Sequence, residues 1–299
     1  MPDLPAVLAD EYRAAAFSPN TRRAYRADMN DFLAWLGERG VEQPGPADVA
    51  GYLASLPRRG LKVSTVRRRA ATLGKVFGFS VRRDPVTGPV LSGIERTHGV
   101  RADGKDALLL EDLRRVLPDG DGLLAVRDRA LLLLGFAGGF RRSELAALQV
   151  ADLQFRDEGL AVLVRRGKTD PEGAGRKVGI PFGAHEQTCP VRALRAWLDA
   201  AVIRTGHVFR RVYARHPGQE LEPQAVWCVI RRLCAKAGLD PKRFGAHSLR
   251  AGMVTQAIRG GASDHAIMAQ TGHRSSDMVR RYRRETDIFL ENAGGKLGL

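Results

Sequence analysis

The spacing of apolar residues in the first part of the chain predicts a small helical domain. Apolar side chains recur at helical intervals over residues 18–39, around 49–56 and from about 64 to 77. The first segment opens with Ser18-Pro19, a capping residue followed by a proline suited to a first helical turn. Residues 82–106 then lose any clean period among repeated glycines and prolines, which indicates a linker.

The remainder of the chain alternates helical and strand-like patterns. Helices are predicted at residues 109–117 and 123–138, and β-rich runs at 153–155, 160–164 and 178–180 predict a three-stranded antiparallel sheet. From Pro190 onward the pattern is helical again, at about residues 191–204, 223–237, 247–259, 264–271 and 275–284. The expected fold is mostly α with a small antiparallel β-sheet, in two domains: a helical domain at residues 1–100 and a mixed domain at residues 107–299.

Charge narrows the class of partner. The 299 residues include 48 Lys and Arg against 33 Asp and Glu, a net charge of +15. An excess of that size favours a polyanion such as DNA, because each neutralised phosphate releases condensed counterions. The residues before and after position 100 both carry a basic excess, so we expect a folded surface to hold it. An anionic membrane is the weaker alternative, since no apolar run reaches about 18 residues.

The cysteines and the amino terminus indicate a cytoplasmic location. Cys189, Cys228 and Cys234 form no CxxC pair and leave an odd count, as is typical of thiols in a reducing compartment. The first residues lack the charged and apolar regions of a signal peptide.

Breaking a phosphodiester without a metal requires a nucleophile, cations for the non-bridging oxygens and a proton donor for the leaving oxygen. Arginine suits the second task because its planar fork donates twice to one phosphate and keeps its charge. Arg141, with Glu144 nearby, follows two glycines at a predicted helix junction. His247 and Arg250 are three residues apart and therefore share a helix face.

The proton donor and the nucleophile have candidates further along the chain. Lys168 lies in a glycine-rich turn between two predicted strands, and Arg176 and Lys177 on the next strand are its rivals. Tyr282 follows His273 by nine residues and is flanked by arginines, which stabilise a phenolate. Taken alone, each position is explained as well or better by a surface charge or a packing residue.

The order of these fragments is more specific than any one of them. GFRRSEL, RGKTDPEGAGR, HSLRAGMVTQA and QTGHRSSDMVRRY resemble the successive signature boxes of the tyrosine recombinase, or phage integrase, family. The resemblance covers about residues 107–290, and the helical amino-terminal part is similar to the core-binding domain of the family. Ala251 and Thr271 depart from the pattern, since many relatives have histidine and leucine there. These departures bear on the subfamily rather than on the activity.

The resemblance implies a role for each matching residue. Arg141 and Arg250 would hold the scissile phosphate, and His273 would add a hydrogen bond. His247 would accept or relay the tyrosine proton, and Lys168 would be the general acid toward the 5′ oxygen.

Two further positions complete the implied machinery. Glu144 resembles the acidic residue that braces the site. Tyr282 would form a 3′-phosphotyrosine, which stores the bond energy, so that no ATP, metal or other cofactor is expected. A metal-dependent nuclease is also disfavoured because the histidines lack ligand spacing such as HExxH.

The implied function is site-specific recombination of double-stranded DNA by a homotetramer, through a Holliday junction. A two-domain clamp around DNA of the compact Cre or Xer-like type is expected, because the chain begins close to the core-binding helices. Residues of the tail would dock into the neighbouring subunit: Ile288, Phe289 and Leu290. Basic residues of the first domain are candidates for phosphate contacts, although solvated helix faces explain them as well: Arg22, Arg23, Arg67, Arg68 and Arg69.

Two alternatives stay open at this stage. A type IB topoisomerase uses the same chemistry but relaxes supercoils as a monomer. A catalytically silent DNA-binding regulator would keep the fold without the covalent step, and the full catalytic set argues against it.

Overall fold

The computed structural model describes residues 17–100, 105–165, 175–214, 216–273 and 275–286. The chain forms two compact units that divide between Asp103 and Gly104. Each unit has an apolar core of its own.

The described part of the first unit is helical. Its helices are α1 (Pro19–Gly37), α2 (Pro46–Arg58), α3 (Val63–Phe77) and α4 (Thr87–His98). The three helices predicted from apolar spacing are confirmed as α1, α2 and α3. Ser18 caps α1 as expected, because its hydroxyl accepts a hydrogen bond from the Thr21 amide at 3.2 Å. Fully buried side chains from these helices form the core, among them Phe32, Tyr52, Leu53, Leu56 and Leu73.

The prediction that residues 82–106 form a linker is wrong, because α4 occupies much of that range. Asp84 caps the start of the helix by accepting hydrogen bonds from the amides of Val86 and Thr87. Pro85 precedes the helix, and Pro89 lies in its first turn, where a missing N–H costs little. Leu91 and Ile94 are buried and attach the helix to the core of the first unit. These two buried residues are too few to show a helical period in the sequence among the surrounding glycines and prolines.

The second unit contains helices around two small sheets. Its helices are α5 (Leu110–Val116), α6 (Leu123–Ala137), α7 (Arg142–Ala147), α8 (Pro190–Ala200), α9 (Pro223–Lys236), α10 (Ala246–Arg259), α11 (Asp264–Thr271) and α12 (Ser276–Thr286). Its strands are β1 (Leu153–Phe155), β2 (Gly159–Val164), β3 (Arg176–Pro181), β4 (Arg210–Tyr213) and β5 (His216–Glu220). The helices predicted in this part of the sequence are confirmed.

The three-stranded antiparallel sheet is confirmed, in the order β1-β2-β3. Val162 pairs with Val178, and Val164 pairs with Arg176. Because side chains alternate along a strand, Arg176 lies on the same face as the buried Val178, whereas Lys177 lies on the exposed face. The sheet therefore separates the two basic residues at the start of β3.

A second hairpin, β4-β5, occupies a part of the chain that was predicted to be irregular or helical. Its strands carry charged residues and Pro217, so they lack the alternation that marks a half-buried strand. The buried Phe209 at the start of the hairpin anchors it, since its carbonyl accepts a hydrogen bond from the Leu221 amide. Tertiary packing, and not local pattern, decides this element.

Helix α10 is the central element for the site, and a glycine sets how closely the chain approaches it. A Cβ added at Gly252 would lie 1.9 Å from the Leu108 carbonyl oxygen, so no larger residue fits. The Leu108 amide donates to the Ser248 carbonyl one turn earlier. The segment around Leu108, at the start of the second unit, is thereby held in close contact with α10.

A small apolar cluster joins the last three helices. Val254 and Ile258 of α10 pack with Ile267 of α11 and Val279 of α12, and Tyr282 contacts this cluster from its edge. The cluster fixes α12 against α10 and so determines where the phenol lies. Among the helices that the structure describes, none is both long and apolar enough to cross a membrane.

Candidate active site

A glycine turn between α6 and α7 orients a deeply buried arginine. Gly139 adopts φ +57°, and an added Cβ there would lie 2.7 Å from the Met253 side chain. This left-handed turn directs the Gly139 carbonyl to Nη1 of Arg250, which donates to it at 2.7 Å. Arg250 is 1% exposed, and its Nη2 has no hydrogen-bond partner within the described part of the chain.

Glu144 joins two arginines from different elements. It lies in the first turn of α7, where its carboxylate accepts from the Arg141 amide at 3.0 Å and from Arg141 Nη1 at 2.6 Å. Arg176 of β3 donates to both carboxylate oxygens, at 3.2 and 2.8 Å. The buried carboxylate therefore accepts four hydrogen bonds and holds both guanidinium groups in fixed positions.

The phenol and an imidazole meet directly. The Tyr282 hydroxyl lies 3.0 Å from Nε2 of His247. His247 and Arg250 lie one turn apart on α10, as their spacing predicted, and Tyr282 comes from α12. The distance is within the range for proton transfer between a phenol and a general base.

His273 follows the end of α11 and turns its Nδ1 toward Thr271. The two atoms, Nδ1 of His273 and Oγ1 of Thr271, are 2.9 Å apart. Gly272 between them takes the left-handed conformation that ends the helix, at φ +67°. A Cβ added at Gly272 would lie 3.2 Å from the Arg176 side chain, so β3 packs closely against this turn.

The cluster of cations shifts the protonation of its members. Burial, followed by the charges of Arg250 and Arg141, lowers the pKa of His273 to about 4. Partial desolvation and the same two charges lower the pKa of His247, although the residue as a whole is exposed. Burial and then Arg141 lower the pKa of Arg250 to about 10, so it stays charged at neutral pH.

The pKa of Glu144 is also lowered, which for a carboxyl group favours the charged form. Burial alone would raise the pKa of Glu144, but hydrogen bonds from Arg176 and Arg141 outweigh it, and the pKa is lowered. Both histidines are thus neutral at pH 7 while Glu144 is ionised. A neutral His247 is the form that accepts a proton from a phenol.

The surroundings of the arginines suit an anion. A cavity of about 280 Å³ has Arg141, His247 and Arg250 in its walls. A buried guanidinium N–H without a partner is costly, and a phosphate oxygen would satisfy it. His247, Arg141 and Arg250 thus line one small space, and the Tyr282 phenol contacts the same His247.

The structure brings together most of the residues that the sequence singled out. Arg141, Glu144, His247, Arg250, His273 and Tyr282 form one cluster, linked by the contacts and charges above. Lys168 lies outside the described residues, as do Ile288, Phe289 and Leu290 of the predicted docking tail. The roles of all these residues remain predictions.

Two residues of the cluster were not predicted for it. Arg176 was considered only as a rival to Lys168, yet it binds Glu144 from the inward face of β3. The burial of Val178 and Ile180, two and four residues on, was the signal that could have placed it. Thr271 was noted as a departure from the family pattern, and nothing in the sequence showed that its hydroxyl meets His273.

The basic residues of the first unit have varied surroundings. Arg22 and Arg23 are exposed on α1, as predicted. Arg67 pairs with Glu95, and Arg68 pairs with the buried Asp28.

Arg69 differs from its neighbours. Its side chain is 13% exposed and binds Asp31 and the Tyr52 hydroxyl. The interpretation that the basic residues lie on solvated helix faces is therefore wrong for Arg69. The sequence could not show that Asp28 and Asp31 of α1 draw it inward, and DNA contact by the five arginines stays a prediction.

No group of three or more His, Cys, Asp or Glu side chains with the geometry to hold a metal ion occurs in residues 17–286, apart from the segments left undescribed.

Family models and known proteins match most of the chain. A sequence model of the phage integrase family matches residues 109–287, and one of the phage integrase N-terminal SAM-like domain matches residues 12–84. An integrase/recombinase xerD homolog of Selenomonas ruminantium is 36% identical over 288 residues, which cover 92% of this chain and 84% of that protein. Tyrosine recombinase XerD of Bifidobacterium longum is 26% identical over 280 residues, covering 88% and 85%.

Solved structures show the same fold. The site-specific recombinase XerH, bound to a palindromic difH substrate in a post-cleavage complex, matches with a TM-score of 0.71 and 19% identity, over 91% of this chain and 78% of that one. The Tn1549 transposon integrase in complex with transposon right end DNA matches with a TM-score of 0.68 and 17% identity, over 97% and 98%. Because the family model matches more than half of the chain, the chain belongs to the phage integrase family.

Proposed function

We propose that this protein is a site-specific DNA recombinase that cleaves and rejoins strands through a 3′-phosphotyrosine at Tyr282. The observation that carries the proposal is the 3.0 Å contact between the Tyr282 hydroxyl and His247 Nε2, on the same helix as the buried Arg250. A tyrosine with a packing role alone has no need of a neutral base and an unsatisfied guanidinium beside it.

The proposed reaction exchanges one phosphoester for another. The Tyr282 oxygen forms a bond to phosphorus while its proton passes to His247, and the bond from phosphorus to the 5′ oxygen breaks as that oxygen takes a proton from Lys168, the proposed general acid. Arg141 and Arg250 stabilise the charge that develops on the non-bridging oxygens. A 5′ hydroxyl from another strand then attacks the phosphotyrosine and releases the phenol, so no external energy source is consumed.

The arrangement of Glu144 and Arg176 supports this reaction indirectly. Arg141 must keep its position in a cluster of like charges, and the carboxylate of Glu144 offsets the repulsion. The named relatives support the reaction class, since the 36% identical protein is an integrase/recombinase homolog.

The first experiment identifies the substrate and tests the nucleophile together. Genomic and plasmid DNA are incubated with the protein, covalent complexes are trapped by denaturation, and the attached ends are sequenced. A nicked suicide substrate built on the mapped site then measures covalent adduct. Tyr282→Phe should reduce the adduct to background, whereas Tyr213→Phe, a matched change at an exposed tyrosine, should leave it unchanged.

The outcomes separate the three functions. Exchange that requires two sites supports recombination, and relaxation of a plasmid with one site would instead indicate a topoisomerase. Binding without any adduct would indicate a regulator and overturn the proposal. Adduct formation in EDTA is expected, and its complete loss there would count against the mechanism.

Lys168 remains the proposed general acid. A substrate whose 5′-bridging oxygen is replaced by sulfur has a leaving group that needs no protonation. Lys168→Ala should therefore cleave this substrate at close to the normal rate while failing on the normal one. Rescue of Arg176→Ala or Lys177→Ala, and not of Lys168→Ala, would reassign the role.

Assembly is proposed on the same footing. We propose that the protein forms a homotetramer on two duplex sites, in which Ile288, Phe289 and Leu290 dock into a neighbouring subunit. Deleting residues from 288 onward should abolish synapsis while leaving half-site binding. Unaltered recombination by the truncated protein would refute the docking role.

Contacts from the first unit are proposed to position the protein without reading sequence. Replacing both Arg22 and Arg23 by Ala should weaken DNA binding and lower the slope of log affinity against log salt by about one for each lost phosphate contact. An unchanged slope would remove these residues from the interface.

A further inference from the structure

Thr271 is buried at the end of α11, beside the histidine of the site. It is 0% exposed, and its hydroxyl has two neighbours within hydrogen-bonding distance. One is the Ile267 carbonyl oxygen, four residues earlier, at 2.6 Å. The other is His273 Nδ1 at 2.9 Å. The hydroxyl therefore stands between a fixed helix carbonyl and an imidazole nitrogen.

Hydrogen counting decides the direction of these two bonds. A threonine hydroxyl carries one hydrogen and accepts through its lone pairs. The Ile267 carbonyl accepts only, so the hydroxyl hydrogen must point to it, and the short distance agrees. Oγ1 is then left as an acceptor, and His273 Nδ1 must carry the hydrogen that completes the second bond.

We propose that Thr271 is a positioning residue that holds His273 in the tautomer with its hydrogen on Nδ1. The neutral ring then has only a lone pair on Nε2, the nitrogen left to meet substrate. His273 donates a hydrogen bond to a phosphate oxygen from Nε2 only as the imidazolium. This last consequence rests on the proposed function, whereas the tautomer itself does not.

The surroundings of His273 make the protonation step depend on substrate. The groups whose charges act on the ring are Arg141, just before α7, Arg176 of β3, and His247 and Arg250 of α10, while Glu144 and Tyr282 act in turn on Arg250. Burial and then the guanidinium groups disfavour the imidazolium in the free protein. A bound phosphate adds negative charge beside Nε2 and favours it. Donation by His273 is thus switched on by the substrate it contacts.

The methyl group of Thr271 makes a clean substitution possible. A Cβ added at Gly139 would lie 3.2 Å from Thr271 Cγ2, so the methyl packs near the turn that orients Arg250. Thr271→Val keeps this packing and removes the hydroxyl, while Thr271→Ser keeps the hydroxyl and removes the methyl. Thr271→Ala is a second hydroxyl-free variant, for use if the valine variant does not fold.

The direct test is the tautomer of His273 in the full-length, DNA-free protein. Nitrogen NMR of protein with labelled histidine distinguishes a protonated ring nitrogen from a bare one, and His273→Gln identifies the signals. We expect the hydrogen on Nδ1 in the wild type and in Thr271→Ser, and a shift toward the Nε2-protonated form in Thr271→Val. A wild-type ring protonated on Nε2, or an unchanged tautomer in the hydroxyl-free variants, would overturn the proposal.

The second test uses single-turnover adduct formation on the mapped suicide substrate. In the wild type and Thr271→Ser, the rate should fall as pH rises and the bound imidazolium is lost. In Thr271→Val the neutral ring can donate from Nε2, so this fall should move to higher pH or flatten. Identical alkaline limbs in all three proteins would reject the role in donation. Absence of adduct from every protein, with the expected tautomers, would reject the proposed function and leave the tautomer assignment standing.

Discussion

Replacing Glu144 by glutamine tests the feature that holds the cluster of arginines together. The carboxylate accepts four hydrogen bonds, two at each oxygen, from Arg141 and Arg176. A glutamine amide has one oxygen and one NH₂ group, so whichever way it turns, two donors face its NH₂. The change in volume is negligible, and the effect therefore reports hydrogen bonding and charge.

The magnitude follows from the bonds that are lost. Each hydrogen bond to a charged group contributes about 1.5–3 kcal/mol, so losing two lowers the free energy of unfolding by about 3 kcal/mol or more. Arg141 and Arg176 would also repel each other without the carboxylate between them. Displacement of Arg141 from the phosphate should reduce the rate of adduct formation by about 10²-fold, the usual effect of one lost donor to a developing oxyanion.

Urea denaturation of Glu144→Gln and of the wild type measures the first effect, and the suicide substrate measures the second. Glu158→Gln is the matched control, because Glu158 is exposed. The pKa of Glu144 is lowered in the folded protein, so its stabilisation is present above the unfolded pKa of about 4.3 and fades below it. The two proteins should therefore converge in stability as pH falls. A loss below about 1 kcal/mol, the value of an ordinary neutral hydrogen bond, together with normal cleavage, would refute this reasoning.

Two other substitutions test the base and the packing of α10. His247 has a lowered pKa, so its neutral form persists below the ordinary histidine value of about 6.5, and cleavage should decline only at more acidic pH. His247→Gln should lower the rate and remove this acidic decline from the pH–rate profile. A decline retained in the variant would assign it to another group. Gly252→Ala should lower the free energy of unfolding by about 3 kcal/mol, because the new methyl would meet the Leu108 carbonyl. Gly179→Ala is the control, because a Cβ added there meets nothing within 4 Å. Equal urea unfolding midpoints for the two variants would contradict the close approach at Gly252.

The elements that could be predicted from sequence are those whose pattern is local. Helices α1 to α3 and the helices of the second unit carry apolar residues at helical spacing, and β1 to β3 are short apolar runs between turn residues. Helix α4 escaped because its few apolar residues lie among glycines and prolines, and the hairpin β4-β5 escaped because charged residues and Pro217 break the alternation of its strands. Their positions depend on packing partners that are distant in sequence.

The site divides in the same way. The spacing of His247 and Arg250 placed them on one helix face, and the position of Glu144 in a first helical turn brought it to Arg141. The contact between His247 and Tyr282 joins residues 35 positions apart through the packing of α12 on α10. The sequence identified His247 and Tyr282 as candidates, but only the folded chain brings the two side chains to a distance of 3.0 Å.

By itself the sequence determined the family, the helical periods and the identities of the reactive groups, because these depend on local spacing and side-chain chemistry. The tertiary structure alone decided which charges meet. Arg176 reaches Glu144 because strand alternation and the pairing of β2 with β3 turn it inward, and Arg69 is drawn to Asp31 across two helices. The hydrogen on His273 is likewise fixed by a hydroxyl whose own proton is held by a helix carbonyl. Such assignments depend on directions in space, which a one-dimensional pattern does not encode.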